Sequence, residues 1–229
     1  MTLQARERTV VALTALIGLI LPFLGFLMAR SSAWTAGETG ILEALSHSPH
    51  TLAAASSVVA VVFGTPFTIA ILIVFIAVYY AVTRSRRESL RIGLMLVVPL
   101  LYMLAVKDIV NRPRPSFAGA LGVAPHSFSF PSGHTASAVV IMVVLMYATR
   151  ATAVTVKWPV RILGGLVALC VAGSRLILGV HFPTDVLASL IVCPLIIATV
   201  SILFDRYVGR DFEAGKAAVL ADSSELGND

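Results

Sequence analysis

The stretch PSGHTASAVVIMVVLMYA, residues 131–148, opens on Pro131-Ser132-Gly133-His134 and runs straight into an apolar segment that meets no charge until Arg150. Such a segment reads as a membrane-spanning helix whose polar start is sunk toward the headgroups, since it is short for a full crossing. The same arrangement recurs on either side. Lys107 closes one apolar stretch and is followed by Arg114-Pro115; Ser174-Arg175 lies near the end of another; His181 and Asp185 stand at the opening of the last. If these stretches cross a bilayer, all three polar clusters emerge on the same face.

Composition agrees. Of 229 residues, 58% are hydrophobic and only 13% charged, whereas a soluble domain carries about a quarter charged residues. The net charge of +5 does not point to nucleic acid, because most basic residues sit in short links between apolar stretches and no nucleic-acid motif accompanies them. Cys170 and Cys193 fall inside apolar stretches without metal-ligand spacing, so they are expected to be buried small hydrophobes with no disulfide.

The expected fold is an all-α integral membrane protein of six transmembrane helices. They cover about 9–29, 65–82, 90–106, 134–148, a fifth ending near 180, and 183–204. The first is read as a retained span because it is longer than the roughly 7–15-residue apolar core of a signal peptide. Between the first two, residues 30–63 form one or two helices at the membrane surface, with Trp34 at the interface. Residues 1–210 make a single membrane domain, and 211–229 a disordered cytoplasmic tail. Six spans put both termini on one side. Twelve of the 17 Lys and Arg fall there, leaving Arg30, Lys107, Arg112, Arg114 and Arg175 opposite. That asymmetry places both termini in the cytoplasm and the three clusters outside the cell membrane.

A transferring phosphoryl group spreads negative charge over its oxygens, and catalysis must meet that charge. Lys107, Arg114 and Arg175 supply cations; Ser132 supplies a hydroxyl; the Gly133 backbone N–H can approach closely, at the positive end of a helix. The acid–base and nucleophilic work suits two histidines, His134 and His181, with Asp185 four residues beyond His181 and therefore on its face of a helix. Arg112 reads as a headgroup or loop contact, His126 as a loop histidine, and His47 and His50 as solvated or interfacial. No carboxylate cluster suggests a metal site, and no cofactor is expected.

The spacing Lys107, six residues, Arg114-Pro115; Pro131-Ser132-Gly133-His134; Ser174-Arg175, five residues, His181, three residues, Asp185 resembles the signature of the type 2 phosphatidic acid phosphatase family. The resemblance implies that His181 attacks phosphorus to form a phosphohistidine, that Asp185 orients it, and that His134 protonates the leaving oxygen and then deprotonates water. It implies a membrane lipid phosphatase whose partners are a lipid phosphate substrate and the bilayer, with no protein partner expected. A polyprenyl pyrophosphate such as the undecaprenyl carrier of cell-wall synthesis is the first expectation, and phosphatidylglycerol phosphate or phosphatidic acid of phospholipid metabolism the next. A phosphotransferase with an alcohol or sugar acceptor, and a non-enzymatic lipid transporter with a relic phosphate site, are the remaining readings.

Overall fold

The computed structural model describes residues 4–122 and 127–225, with side chains described to 208. Among the described residues there are eight helices and no strand: α1 (Ala5–Arg30), α2 (Ser32–Ser46), α3 (His50–Val62), α4 (Thr65–Thr83), α5 (Arg86–Val110), α6 (Gly133–Ala148), α7 (Val154–Ile177) and α8 (Pro183–Glu225). Five are long and apolar enough to cross a membrane: α1, α4, α5, α7 and the Pro183–Val208 part of α8. The outward faces carry bare leucine and valine, such as Leu19 at 79% and Val82 at 77% exposed. Water would not tolerate so much uncovered apolar surface on a stable monomer, but acyl chains would.

At 16 residues, α6 is about 24 Å long, short of the roughly 30 Å hydrocarbon core. It is nonetheless the axis of the bundle, packed against α5, α7 and α8. Val140 and Val144 of α6 meet Ile92 and Leu96 of α5 and Val192 and Cys193 of α8 in one buried cluster. At the end of the bundle remote from residues 107 and 133, the buried Arg91 of α5 pairs with Asp205 of α8 and donates to the Tyr147 hydroxyl of α6. That contact pins three helices at one end and leaves the other end free for chemistry.

Local rules explain where the helices stop. Ser85 caps α5 by accepting from the Glu88 N–H at 3.2 Å. Asn111, left-handed at φ 53°, ends it, asparagine being one of the few side chains that visits this region readily. On α4 the cap is Gly64, with Thr65 and Pro66 as the first two helical residues.

Residues 30–63 form helices as expected, two of them, packed on the bundle, α3 against α7 and α2 against α7 and α1. Two other expectations change. The backbone of α8 stays helical to Glu225, through the stretch expected to be disordered from 211. The run of Ala, Leu, Lys and Glu there propagates a helix already nucleated by the span. Cys170 is exposed on the outer face of α7, and only Cys193 is buried; a thiol suits either apolar environment.

Candidate active site

The C-terminal ends of α5 and α7 meet the N-terminal ends of α6 and α8, and hydrogen bonds lace the four together. The Ser132 N–H donates to the Asp185 carbonyl at 3.0 Å, and the Ser189 hydroxyl donates to the Ser132 carbonyl at 3.0 Å. The 112–132 loop folds back on itself through Ser129 N–H to the Arg112 carbonyl, 2.8 Å. Gly179, at φ +65°, turns the chain from α7 toward His181; a Cβ there would sit 2.8 Å from the Phe117 ring, so only glycine fits. Two helix N-termini, those of α6 and α8, thus aim their positive ends at one place.

Lys107, Arg114, Gly133, His134 and His181 line one end of a cavity of about 480 Å³. Its other end is apolar, formed by Ile69 and Leu72 of α4 and Val97, Leu101 and Leu104 of α5. A Cβ built on Gly133 would meet no atom within 4 Å, so the start of α6 faces open space. A second, shallower depression of about 600 Å³ between α1 and α2 holds Arg30 and Glu43 but none of the motif residues.

His181 is 1% exposed and its tautomer follows from its neighbours. Arg114 Nη1 lies 3.0 Å from Nε2, and a guanidinium only donates, so Nε2 carries the lone pair. Nδ1 then bears the proton and donates to Asp185 Oδ2 at 3.3 Å. Burial pushes the His181 imidazole down to about 3 against the opposing pull of Asp185, with the charges of Arg114 and Arg175 pressing the same way as burial. The ring is therefore neutral at physiological pH, with a lone pair directed at the cationic end of the cavity. Arg114 also donates to the carbonyls of Ser127 and Val180, at 2.7 and 2.8 Å.

The remaining motif residues take distinct places. Lys107 Nζ donates to the Phe128 carbonyl at 2.7 Å. The His134 Nε2–H donates to the Ala60 carbonyl of α3 at 3.1 Å. Ser132, Asp185 and Arg175 do not line the cavity but are buried. Ser132 Oγ accepts from the Thr135 hydroxyl at 3.0 Å and keeps its own proton to give. Ser174 turns its hydroxyl to the Val171 carbonyl of its own helix. Arg175, 3% exposed, has Nε and Nη1 without a hydrogen-bond partner among the described residues. A buried guanidinium with idle donors is a costly arrangement that an anion would relieve.

Sequence reasoning missed two residues. Arg112, expected at a headgroup or loop surface, is 1% exposed; it bonds Asp185 Oδ1 at 2.8 Å and Glu38 Oε2 at 2.5 Å. Glu38, on α2, is 7% exposed and went unremarked. Only the Arg-Pro-Arg-Pro run hinted that Arg112 is as constrained as Arg114; nothing local marks Glu38. Removing one partner of such a buried pair costs on the order of 3–5 kcal/mol. His126 lies outside the described residues. Among the described residues no group of three or more His, Cys, Asp and Glu is placed to hold a metal ion.

A family profile described as the PAP2 superfamily matches residues 88–208, which takes in every motif residue described above. The chain belongs to the PAP2 superfamily. It is 31% identical over 140 residues to an undecaprenyl-diphosphatase of Bacillus subtilis, across 59% of this chain and 68% of that one. A phosphatidylglycerophosphatase B of Bacillus subtilis is 41% identical over 36% of this chain and 41% of its own. A decaprenylphosphoryl-5-phosphoribose phosphatase of Mycolicibacterium smegmatis is 35% identical over 44% and 52%. The crystal structure of a transmembrane PAP2-type phosphatidylglycerolphosphate phosphatase from Bacillus subtilis superposes with a TM-score of 0.72 at 25% identity, over 86% of this chain and 96% of that one. This PAP2 protein is a multi-pass membrane lipid phosphatase, a hydrolase of a phosphate ester or pyrophosphate.

Proposed function

We propose that the protein removes the terminal phosphate of a polyprenyl pyrophosphate, undecaprenyl pyrophosphate first, on the extracytoplasmic face of the cytoplasmic membrane. The observation that carries this is the cavity itself, cationic and histidine-bearing at one end and apolar between α4 and α5 at the other. A headgroup and the first part of a hydrocarbon tail can occupy it together. The undecaprenyl-diphosphatase relative supports the choice of tail.

In the reaction, Lys107, Arg114 and the Gly133 N–H, which line the cavity, hold the phosphoryl oxygens. Arg175 and the Ser132 hydroxyl, buried outside its lining, complete the anion site as the substrate seats. Arg114 leaves Nε2 of His181 for the substrate, and Nε2 bonds to phosphorus as the bond to the leaving oxygen breaks. Asp185 stabilises the ring that has become cationic. His134, doubly protonated once the phosphoryl dianion is bound, gives its Nδ1 proton to the leaving oxygen while Nε2–H stays with the Ala60 carbonyl. Water then attacks the phosphohistidine, His134 takes its proton, and inorganic phosphate leaves.

The test is phosphate release by detergent-solubilised protein from undecaprenyl pyrophosphate, phosphatidylglycerophosphate and phosphatidic acid, without an acceptor. The highest kcat/KM is expected on the pyrophosphate. A preference for phosphatidylglycerophosphate would favour the second reading, which the superposed crystal structure and the 41% identical relative support. Release only when an alcohol is added would make the enzyme a phosphotransferase.

We read six spans, with α6 as the short one, and the alternation of helix ends at the site supports this. The distribution of basic residues supports both termini lying inside the cell. Cysteines introduced at Ser116 and Thr152, in a chain lacking the exposed Cys170, report on this. An impermeant maleimide should label position 116 in intact cells and position 152 only after lysis; the reverse pattern would put the site in the cytoplasm.

A further inference from the structure

The chain of contacts behind His181 does not end at Asp185. Asp185 Oδ2 accepts from the Phe182 N–H at 2.8 Å besides facing His181, while Oδ1 accepts from Arg112 Nη1 at 2.8 Å. Arg112 stacks over the Phe182 ring, 3.9 Å from its centroid, and passes its other nitrogen, Nη2, to Glu38 Oε2. Glu38 Oε1 accepts from both the Thr184 N–H and the Thr184 hydroxyl, each at 2.8 Å. A carboxylate from α2 thereby caps the first turn of α8, where Asp185 sits. Glu38, Arg112, Asp185 and His181 are all at most 7% exposed.

We propose that Glu38 and Arg112 are a positioning pair for the phosphohistidine step: Arg112 fixes the Asp185 carboxylate, and Glu38 offsets the charge of Arg112 so that Asp185 keeps its negative potential toward the His181 ring. This rests on His181 being the nucleophile, as proposed above. The formal charges make the case. Glu38, Arg112 and Asp185 sum to −1. When the bond from Nε2 to phosphorus forms while Nδ1 keeps its proton, the ring gains +1 and the cluster becomes neutral; the electron pair of the broken bond leaves with the oxygen, which His134 protonates. Without Glu38 the cluster would start neutral and end at +1, in a place where no water can spread that charge. Arg112 alone would hold Asp185 in place but blunt it. The α2 helix is thus joined to the reaction centre by charge, although its residues lie far from the motifs in sequence.

The experiment is rapid-quench measurement of phosphoenzyme formation from β-labelled undecaprenyl pyrophosphate by the full-length protein in detergent. It compares wild type, Glu38→Gln, Arg112→Gln and the double variant. Glu38→Gln should slow formation by about 10–100-fold, the scale known for outer partners of metal-ligating histidines, with KM within about threefold of wild type. Arg112→Gln should slow it as well, through lost anchoring. The double variant restores the sum of −1 and keeps amides that can hydrogen-bond each other and Asp185. It should form phosphoenzyme at least about threefold faster than Glu38→Gln, a non-additivity that only coupled residues show. A contact-only role predicts a double variant no faster than the slower single. If Glu38→Gln is not recovered folded, the double variant still discriminates: the charge argument puts it within about tenfold of wild type, and a rate no better than that of Arg112→Gln overturns the pair. Wild type that traps phosphoenzyme alongside an equally fast Glu38→Gln overturns this inference alone; wild type that traps none removes the His181 assignment and this inference with it.

Discussion

Asp185→Asn is expected to lower kcat by about 10^4, the size of effect known for a histidine-orienting aspartate, in a protein that still folds. The partners of Asp185 say why. Arg112 Nη1, the Phe182 N–H and His181 Nδ1–H are all donors, arranged on both oxygens. An asparagine has one acceptor and one donor, so its NH₂ must face a donor wherever it points. If it faces His181, the ring relieves the clash by moving its proton to Nε2, which removes the lone pair needed for attack on phosphorus. If it faces Arg112, a buried guanidinium loses its anion. Either way the nucleophile is lost or misaligned while the shape of the site is kept. His181→Ala should go further and abolish the acid-labile phosphoenzyme in rapid-quench trapping. Asp185→Asn within tenfold of wild type would detach Asp185 from the chemistry, and phosphoenzyme persisting in His181→Ala would move the nucleophile elsewhere.

How much of this was readable in the chain differs by residue. Lys107, Arg114, His134 and His181, which meet at one end of the cavity, could be named from spacing, because their positions depend on where helices start and stop, and those points are local: a left-handed Asn111, a left-handed Gly179, a polar corner before an apolar run. The same locality made the short α6 visible. Glu38 was not readable, since its bond to Arg112 spans 74 positions and neither end has a period or a motif to announce it. Cys170 was misplaced because a membrane helix can be apolar all round, so hydropathy does not separate a lipid-facing side from a core-facing one. The tail beyond 210 was read from polarity, whereas helix propensity and the preceding span govern its backbone. Residues 30–63 were legible as helical but not as parts of the site, for only the folded chain brings the Ala60 carbonyl to His134 and Glu38 to Arg112.

His134→Ala is expected to slow hydrolysis of a lipid phosphate monoester, such as phosphatidic acid, by about 10^2–10^4, the range for losing a positioned acid–base group. It should leave cleavage of p-nitrophenyl phosphate nearly as fast as in wild type. A lipid alkoxide leaves badly without a proton, whereas nitrophenolate leaves without one. A polyprenyl phosphate, with a second pKa of about 6, leaves nearly as well. The penalty should therefore follow the basicity of the leaving group and be small on the pyrophosphate. The geometry supplies a rival explanation. His134 Nε2–H ties α6 to the Ala60 carbonyl of α3, and its loss could loosen the cavity wall for any substrate. His134→Gln separates the two. Its amide N–H₂ can keep a donor toward Ala60 but does not titrate, so it should behave like alanine on the lipid and like wild type on p-nitrophenyl phosphate. Single-turnover rates for both substrates in both variants provide the measurement. Equal losses on the two substrates in His134→Ala, recovered on both in His134→Gln, would make His134 a tether between helices and leave the leaving oxygen to find its proton from water.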